Sequence, residues 1–267
     1  MKRSQFASLA ILLFGCTDPT VPGSPEIASF KPVLSVAAAP NSSVLPSAYA
    51  GVMGETNNSF PHTRSNLRYQ QVFLGSDIVD PTIVGVCLRK DDLFGGAAQT
   101  QTLTIKLGPT SLDYTNLTGS FDSNYSAPPT EVFSGDVSIP AAVGAGTPAD
   151  FDFCIPFTQQ YVHTAGSNVI IEIVNTSASS VGQPRDACSD TAPTCTTARA
   201  FAFSPTAENA VFETRGGLVM KFVSPEPPAP VDPATKDDCK KGGWSDFGFK
   251  NQGQCVRFIE TGVDSRV

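Results

Sequence analysis

In QTLTIKLG, Leu103, Ile105 and Leu107 alternate with Thr102, Thr104 and Lys106, and this period of two constrains the fold more than any other feature. A chain that alternates in this way buries one face of a strand and wets the other. NLRYQQVFLG repeats the pattern with Leu67, Tyr69, Gln71 and Phe73 on one side. TIVGVCLRK places Val84, Val86 and Leu88 against Ile83, Gly85, Cys87 and Arg89. EVFSGDVSIP, FDFCIPF, NVIIEIVN, ARAFAF and GLVMKFV are further runs of strand length, and GSD, LGPT, APPT, GAGTP and TAGSN are turn signals between them. No stretch of this region carries a helical period. With 22 glycines and 22 prolines, the composition also favours short strands and turns over long helices. The expected fold class is all-β, an antiparallel, jelly-roll-like β-sandwich.

FDFCIPF shows how such a strand supplies a core. Phe151, Phe153, Ile155 and Phe157 share one face, and Asp152, Cys154 and Pro156 share the other. Cys154 therefore points outward, as does Cys87 on its own strand. Two outward cysteines on neighbouring strands either form a cross-strand bridge or stand as two partly exposed thiols.

The N-terminus reads MKRSQFASLAILLFGCTDPT. Lys2 and Arg3 precede a short apolar stretch that ends at Gly15 and Cys16, the three-part layout of an export signal. The stretch is too short to span a bilayer, which needs about 20 apolar residues. Leu13-Phe14-Gly15-Cys16 resembles a bacterial lipobox, with Phe14 where smaller residues are usual. The resemblance implies lipidation of Cys16 and attachment to a membrane. The chain has seven cysteines, and giving Cys16 to lipid leaves six that can pair completely. Sequence proximity and the strand pattern favour Cys87–Cys154, Cys188–Cys195 and Cys239–Cys255 among the possible connectivities, in a compartment where disulfides persist.

Composition divides the chain further. Residues 1–15 form the leader and 16–47 a Pro-, Ser- and Ala-rich tether. Residues 48–223 form the sandwich. SPEPPAPVDPAT opens a stiff linker over 224–236. Beyond it, 237–263 form a small module closed by Cys239 and Cys255, because a unit this short needs a staple to fold. Trp244 and Phe247 are candidates either for that module's own core or for a contact surface.

Several chemistries are disfavoured. A net charge of −7 and the lack of a basic patch argue against nucleic-acid partners. The cysteine spacings and the two histidines, His62 and His163, do not make a zinc site. His163 sits beside a turn and reads as a solvated loop residue. There is no G-x-S-x-G elbow and no P-loop. Asp122 and Asn124 alternate in FDSNYSA without the glycine and glutamate of a calcium loop. Asp150 and Asp152 read as solvating an outer face. No cofactor, metal ligand or catalytic residue is expected.

Two segments carry resemblances. RYQQVFLG, IVGVCLR, LTIKLGPT, TEVFSGDVSI, FDFCIPF and NVIIEIVN, covering most of Leu67 to Asn175, resemble a group of exported bacterial β-sandwich proteins without an established activity. CKKGGWSDFGFKNQGQCVRFIETG is similar to a short C-terminal module found on diverse exported bacterial proteins. Cys239, Gly242, Gly243, Trp244, Phe247, Phe249, Lys250, Asn251, Gln252, Gly253, Cys255 and Phe258 carry that match. The first resemblance implies a fold and carries over no catalytic residue, and the second implies no role. The leader, a rigid sandwich on a tether and a stapled aromatic tip lead to the expectation of an exported, lipid-anchored envelope protein with a binding role, whose partner is a glycan or another envelope component. The alternatives are a hydrolase on a β-sandwich scaffold and a purely structural envelope protein.

Overall fold

The computed structural model describes residues 42–91, 93–142, 150–226 and 232–266. The leader, Cys16, the tether up to residue 41, the GAGTP turn and the middle of the proline-rich linker lie outside them. The strands are β1 (Ser43–Leu45), β2 (Thr56–Asn58), β3 (Leu67–Phe73), β4 (Thr82–Leu88), β5 (Gln99–Thr110), β6 (Thr130–Ile139) and β7 (Phe153–Val162). They continue with β8 (Asn168–Asn175), β9 (Arg185–Cys188), β10 (Ala198–Ala202), β11 (Phe212–Arg215), β12 (Gly217–Leu218) and β13 (Met220–Val223).

The strands form an antiparallel four-stranded sheet, β1-β13-β4-β7, and a six-stranded sheet, β11-β10-β3-β8-β5-β6. The chain crosses between the sheets from β1 to β3, β3 to β4, β4 to β5, β6 to β7 and β7 to β8. Among the described strands, β5–β6 and β10–β11 are the neighbouring pairs in both sequence and sheet. Setting β10 and β11 aside, β1-β13-β4-β7 over β3-β8-β5-β6 is the jelly-roll order. A third, three-stranded sheet, β12-β9-β2, completes the fold.

The core lies between the two large sheets. Val86, Leu88, Phe153, Ile155, Met220 and Phe222 from one meet Leu67, Tyr69, Phe73, Leu103, Ile105 and Leu107 from the other. The alternation of β3 and β5 is therefore the in–out alternation of the sandwich. NVIIEIVN does not alternate, because β8 is central and covered on both faces. Ile171 and Ile173 face the core, while Ile170 packs with Val72 and Ala198 under Tyr114, Leu117 and Tyr125 of the β5–β6 connection.

Four details depart from the sequence reading. A register shift between Ile83 and Gly85 puts Ile83, not Val84, on the core face with Val86 and Leu88. Cys87 is buried instead of wet, because the outer face near it is covered. Arg89, on the same face, is buried against Asp186 of β9. Phe151 lies before β7 begins and leaves the core face of Phe153 and Ile155. It packs in a separate cluster with Tyr49 and the Cys188–Cys195 loop, under Arg89 and Lys221. Asp152 does more than solvate a surface, since it pairs with the buried Arg185 at 3.1 Å.

Three disulfides join Cys87 to Cys154, Cys188 to Cys195 and Cys239 to Cys255. Cys87 and Cys154 stand directly opposite each other on β4 and β7. The ordered fold starts before residue 48. Leu45, within the segment read as tether, is fully buried, and β1 pairs with β13. The C-terminal module also reaches past 237–263: Asp232 and Asp264 both pair with Arg266, and Ala234 and Thr235 donate to Asp238. Its core is Cys239, Phe249 and Cys255, with Trp244, Phe247, Val256, Phe258 and Ile259 packed around them. The last three lie on a helix the sequence reading missed, α1 (Gln252–Thr261). Asn251 caps it by accepting from the Gln254 amide, and Gly262 ends it at φ 70°.

Candidate functional site

The one charged residue in NVIIEIVN is Glu172. The register of β8 places it on the outer face, directly opposite Gln70 of β3 and Lys106 of β5. It is 1% exposed. A buried carboxylate is costly unless it is paired and hydrogen-bonded. Here Gln70 Nε2 donates to Glu172 Oε2 at 2.7 Å and Arg68 Nη2 donates to the same oxygen at 2.9 Å. Lys106 Nζ lies 3.5 Å from Oε1, and the Tyr125 hydroxyl reaches Oε2 at 3.5 Å. Burial, with the Glu172 carboxylate next in effect, pushes the Tyr125 hydroxyl well above its ordinary pKa. It remains a neutral donor at physiological pH.

Arg68 anchors the neighbouring wall. It donates to the Ala207 carbonyl at 2.8 Å and to Asp122 Oδ1 at 2.7 Å, and it lies over the Phe121 ring. Burial opposes its charge, but the bonds to Asp122 and Glu172 outweigh burial and raise its pKa. These groups line a cleft of about 310 Å³, closed on one side by Ser126, Ala127, Pro128 and Pro129. Two cations and two anions balance within it. Glu172 and Asp122 both accept from one Arg68 nitrogen. Glycoside hydrolysis requires a sugar between its two carboxylates. In this cleft the guanidinium occupies that space.

Asn124 does not join Asp122 in a cation loop. Its Oδ1 accepts from the Thr118 amide and hydroxyl, and its Nδ2 donates to Gln70 and to the Thr118 carbonyl. Among the described residues, no cluster of three or more His, Cys, Asp or Glu has a metal-binding arrangement. His163 is buried, contrary to the solvated reading, and burial lowers its pKa. His62 is fully buried, and burial, with Arg185 nearby, lowers its pKa to about 3.

A second surface lies at the β10–β11 end of the six-stranded sheet. Phe201 and Phe212 are cross-strand partners, with rings stacked 5.2 Å apart. Phe203 meets both of them, and Phe60 packs against Phe201 and Phe203. Phe201 is buried, but Phe203 and Phe212 are 47% and 54% exposed, with Val211 exposed beside them. The Arg64 guanidinium lies 5.2 Å from the Phe203 ring centre.

Trp244 and Phe247 are half-buried against the Cys239–Cys255 core. Their contacts belong to the module's own packing. Sequence reasoning missed Arg68, Lys106, Tyr125 and Glu172, and also Phe203 and Phe212. The available signal was a lone glutamate inside an apolar run: buried charge in a central strand needs partners on both neighbours.

Fold and disulfides define an all-β sandwich protein with a stapled C-terminal module, and disulfides persist where the surroundings are oxidising. No protein-family model matches the chain, and no curated protein matches it.

Proposed function

We propose that this protein is exported, anchored to a membrane by lipid on Cys16, and binds a glycan or another component of the bacterial cell envelope. The observation that carries the binding role is the aromatic surface of Phe60, Phe203 and Phe212 beside Arg64. Half-exposed phenylalanines clustered on one edge leave apolar area in water, which marks interaction surfaces. Aromatic rings give large contact area at small entropic cost, and their faces suit the C–H faces of sugars. The leader pattern and three disulfides support export. Among the described residues no helix is long and apolar enough to cross a membrane. Membrane attachment in this reading rests on the lipid.

The test is a binding screen of the mature chain against glycans and envelope components. Wild type and Trp244→Ala bind the same component, and a Phe203→Ala/Phe212→Ala variant loses binding. Failure of the wild type to bind anything, or unchanged binding by the double variant, overturns the reading. Mass spectrometry of protein from its host shows a lipid-modified Cys16 as the first residue; an intact leader refutes the anchor.

A further inference from the structure

The cleft around Glu172 is separate from the aromatic surface, and its chemistry is different. Lys106 and Arg68 oppose Glu172 and Asp122, so the formal charges cancel and no field selects an ionic ligand. The groups differ in how fully they are used. Glu172 is buried and engaged by four side chains. Lys106 is one-third exposed, and among the described residues its one ion-pair contact is the long one to Glu172. Asp122 is 82% exposed, with Oδ1 on Arg68. An ammonium with donors to spare and a carboxylate with acceptor capacity to spare therefore line one cleft, over a base held rigid by Glu172, Gln70 and Arg68. Ala127, Pro128 and Pro129 give the cleft an apolar wall.

Neighbouring donor and acceptor groups beside an apolar wall suit a ring that carries hydroxyls at its edge and C–H bonds on its face. A hydroxyl accepts from Lys106 and its neighbour donates to Asp122, so both charged groups are satisfied without a net charge on the ligand. The volume of about 310 Å³ sits at the bottom of the range of about 300–1,000 Å³ usual for ligand pockets and admits one sugar ring, not a chain. We propose that this cleft is a binding site for a single neutral, polyhydroxylated ring, a monosaccharide or the terminal unit of a glycan. Lys106 and Asp122 read its hydroxyls, and Glu172 acts as the positioning residue that holds Lys106 and Arg68.

The experiment is an NMR titration of the isotopically labelled mature chain with glucose, galactose, mannose and N-acetylglucosamine, with glucuronate and glucosamine as charged counterparts. At least one neutral sugar shifts the Lys106, Asp122 and Ser126 amide signals saturably, with a dissociation constant in roughly the millimolar range for a ligand this small. Lys106→Met and Asp122→Asn each weaken it by about tenfold or more, whereas Phe212→Ala leaves it unchanged. The Asp122 side chain is mostly exposed, so Asp122→Asn reports on binding without threatening the fold. Absence of saturable shifts with every neutral sugar, binding of the charged counterparts alone, or wild-type affinity in Lys106→Met and Asp122→Asn overturns the proposal. Because the aromatic variant is read separately, loss of envelope binding by the chain leaves this outcome independent.

Discussion

Replacing Cys239 and Cys255 by serine unfolds the C-terminal module and leaves the sandwich folded. The bridge spans a sequence separation of 16. Closing a loop of that length lowers the entropy of the unfolded chain by an amount equivalent to about 3 kcal/mol. The unit from Asp232 to Arg266 is about 35 residues long. At about 0.05–0.15 kcal/mol per residue, its whole stability is about 2–5 kcal/mol. The bridge thus supplies stabilisation comparable to the total, and the two sulfurs are also the fully buried centre around which Phe249, Phe258 and Ile259 pack. Trp244, the chain's one tryptophan, lies in this unit, so its fluorescence reports on the module alone. In the double variant its emission shifts to that of a solvated indole and a soluble quencher reaches it freely. The β-sheet signal in circular dichroism still melts cooperatively at the wild-type temperature. Unchanged tryptophan emission in the variant, with cooperative loss of that signal on heating, would refute the argument that the module is too small to hold itself without the staple.

Other expectations rest on single buried groups. His62 is buried neutral with its pKa lowered to about 3, so the unfolded chain takes up its proton first. Its contribution to stability is complete above about pH 6.5 and is lost as pH falls toward 3, by up to about 1.4 kcal/mol per pH unit. His62→Leu flattens that slope in urea titrations between pH 7 and 4, and an equally steep slope in the variant counts against it. Arg89 and Asp186 are each 1% exposed and joined at 2.9 Å through Arg89 Nε. Arg89→Ala costs about 3–5 kcal/mol by leaving a buried carboxylate alone, and the urea midpoint checks it. A Cβ at Gly54 meets the Ala187 carbonyl oxygen at 2.0 Å. Gly54→Ala therefore forces β2 away from β9 at a cost of about 1–3 kcal/mol, visible as lost amide protection in the Thr56–Ala187 pair of that ladder; full protection in the variant contradicts it.

The legibility of this chain followed the physics of each strand. β5 and β6 have one covered face, and their alternation was readable. β8 is covered on both faces, so only its apolar character was readable, and its partners were not. β1 is three residues long in a proline- and serine-rich segment, and its strand state depends entirely on pairing with β13, some 175 residues away. Helix α1 has its apolar residues at Cys255, Val256, Phe258 and Ile259, a pattern too short to stand out beside the glycines that precede it. The cleft was invisible for a related reason. Arg68, Lys106, Asp122 and Glu172 belong to three strands and a connection, and nothing local links them.

Side-chain period and cysteine placement are local properties, so the chain by itself determined the all-β class, the disulfide-stapled C-terminal segment and the runs that supply the core. Which sheet faces are doubly covered, and which charges meet, depends on contacts between residues far apart in sequence. Those contacts came from the jelly-roll crossing of the strands, and only the tertiary structure decided that Glu172 lies buried beneath a cleft and that Phe203 and Phe212 stay half in water at a sheet edge.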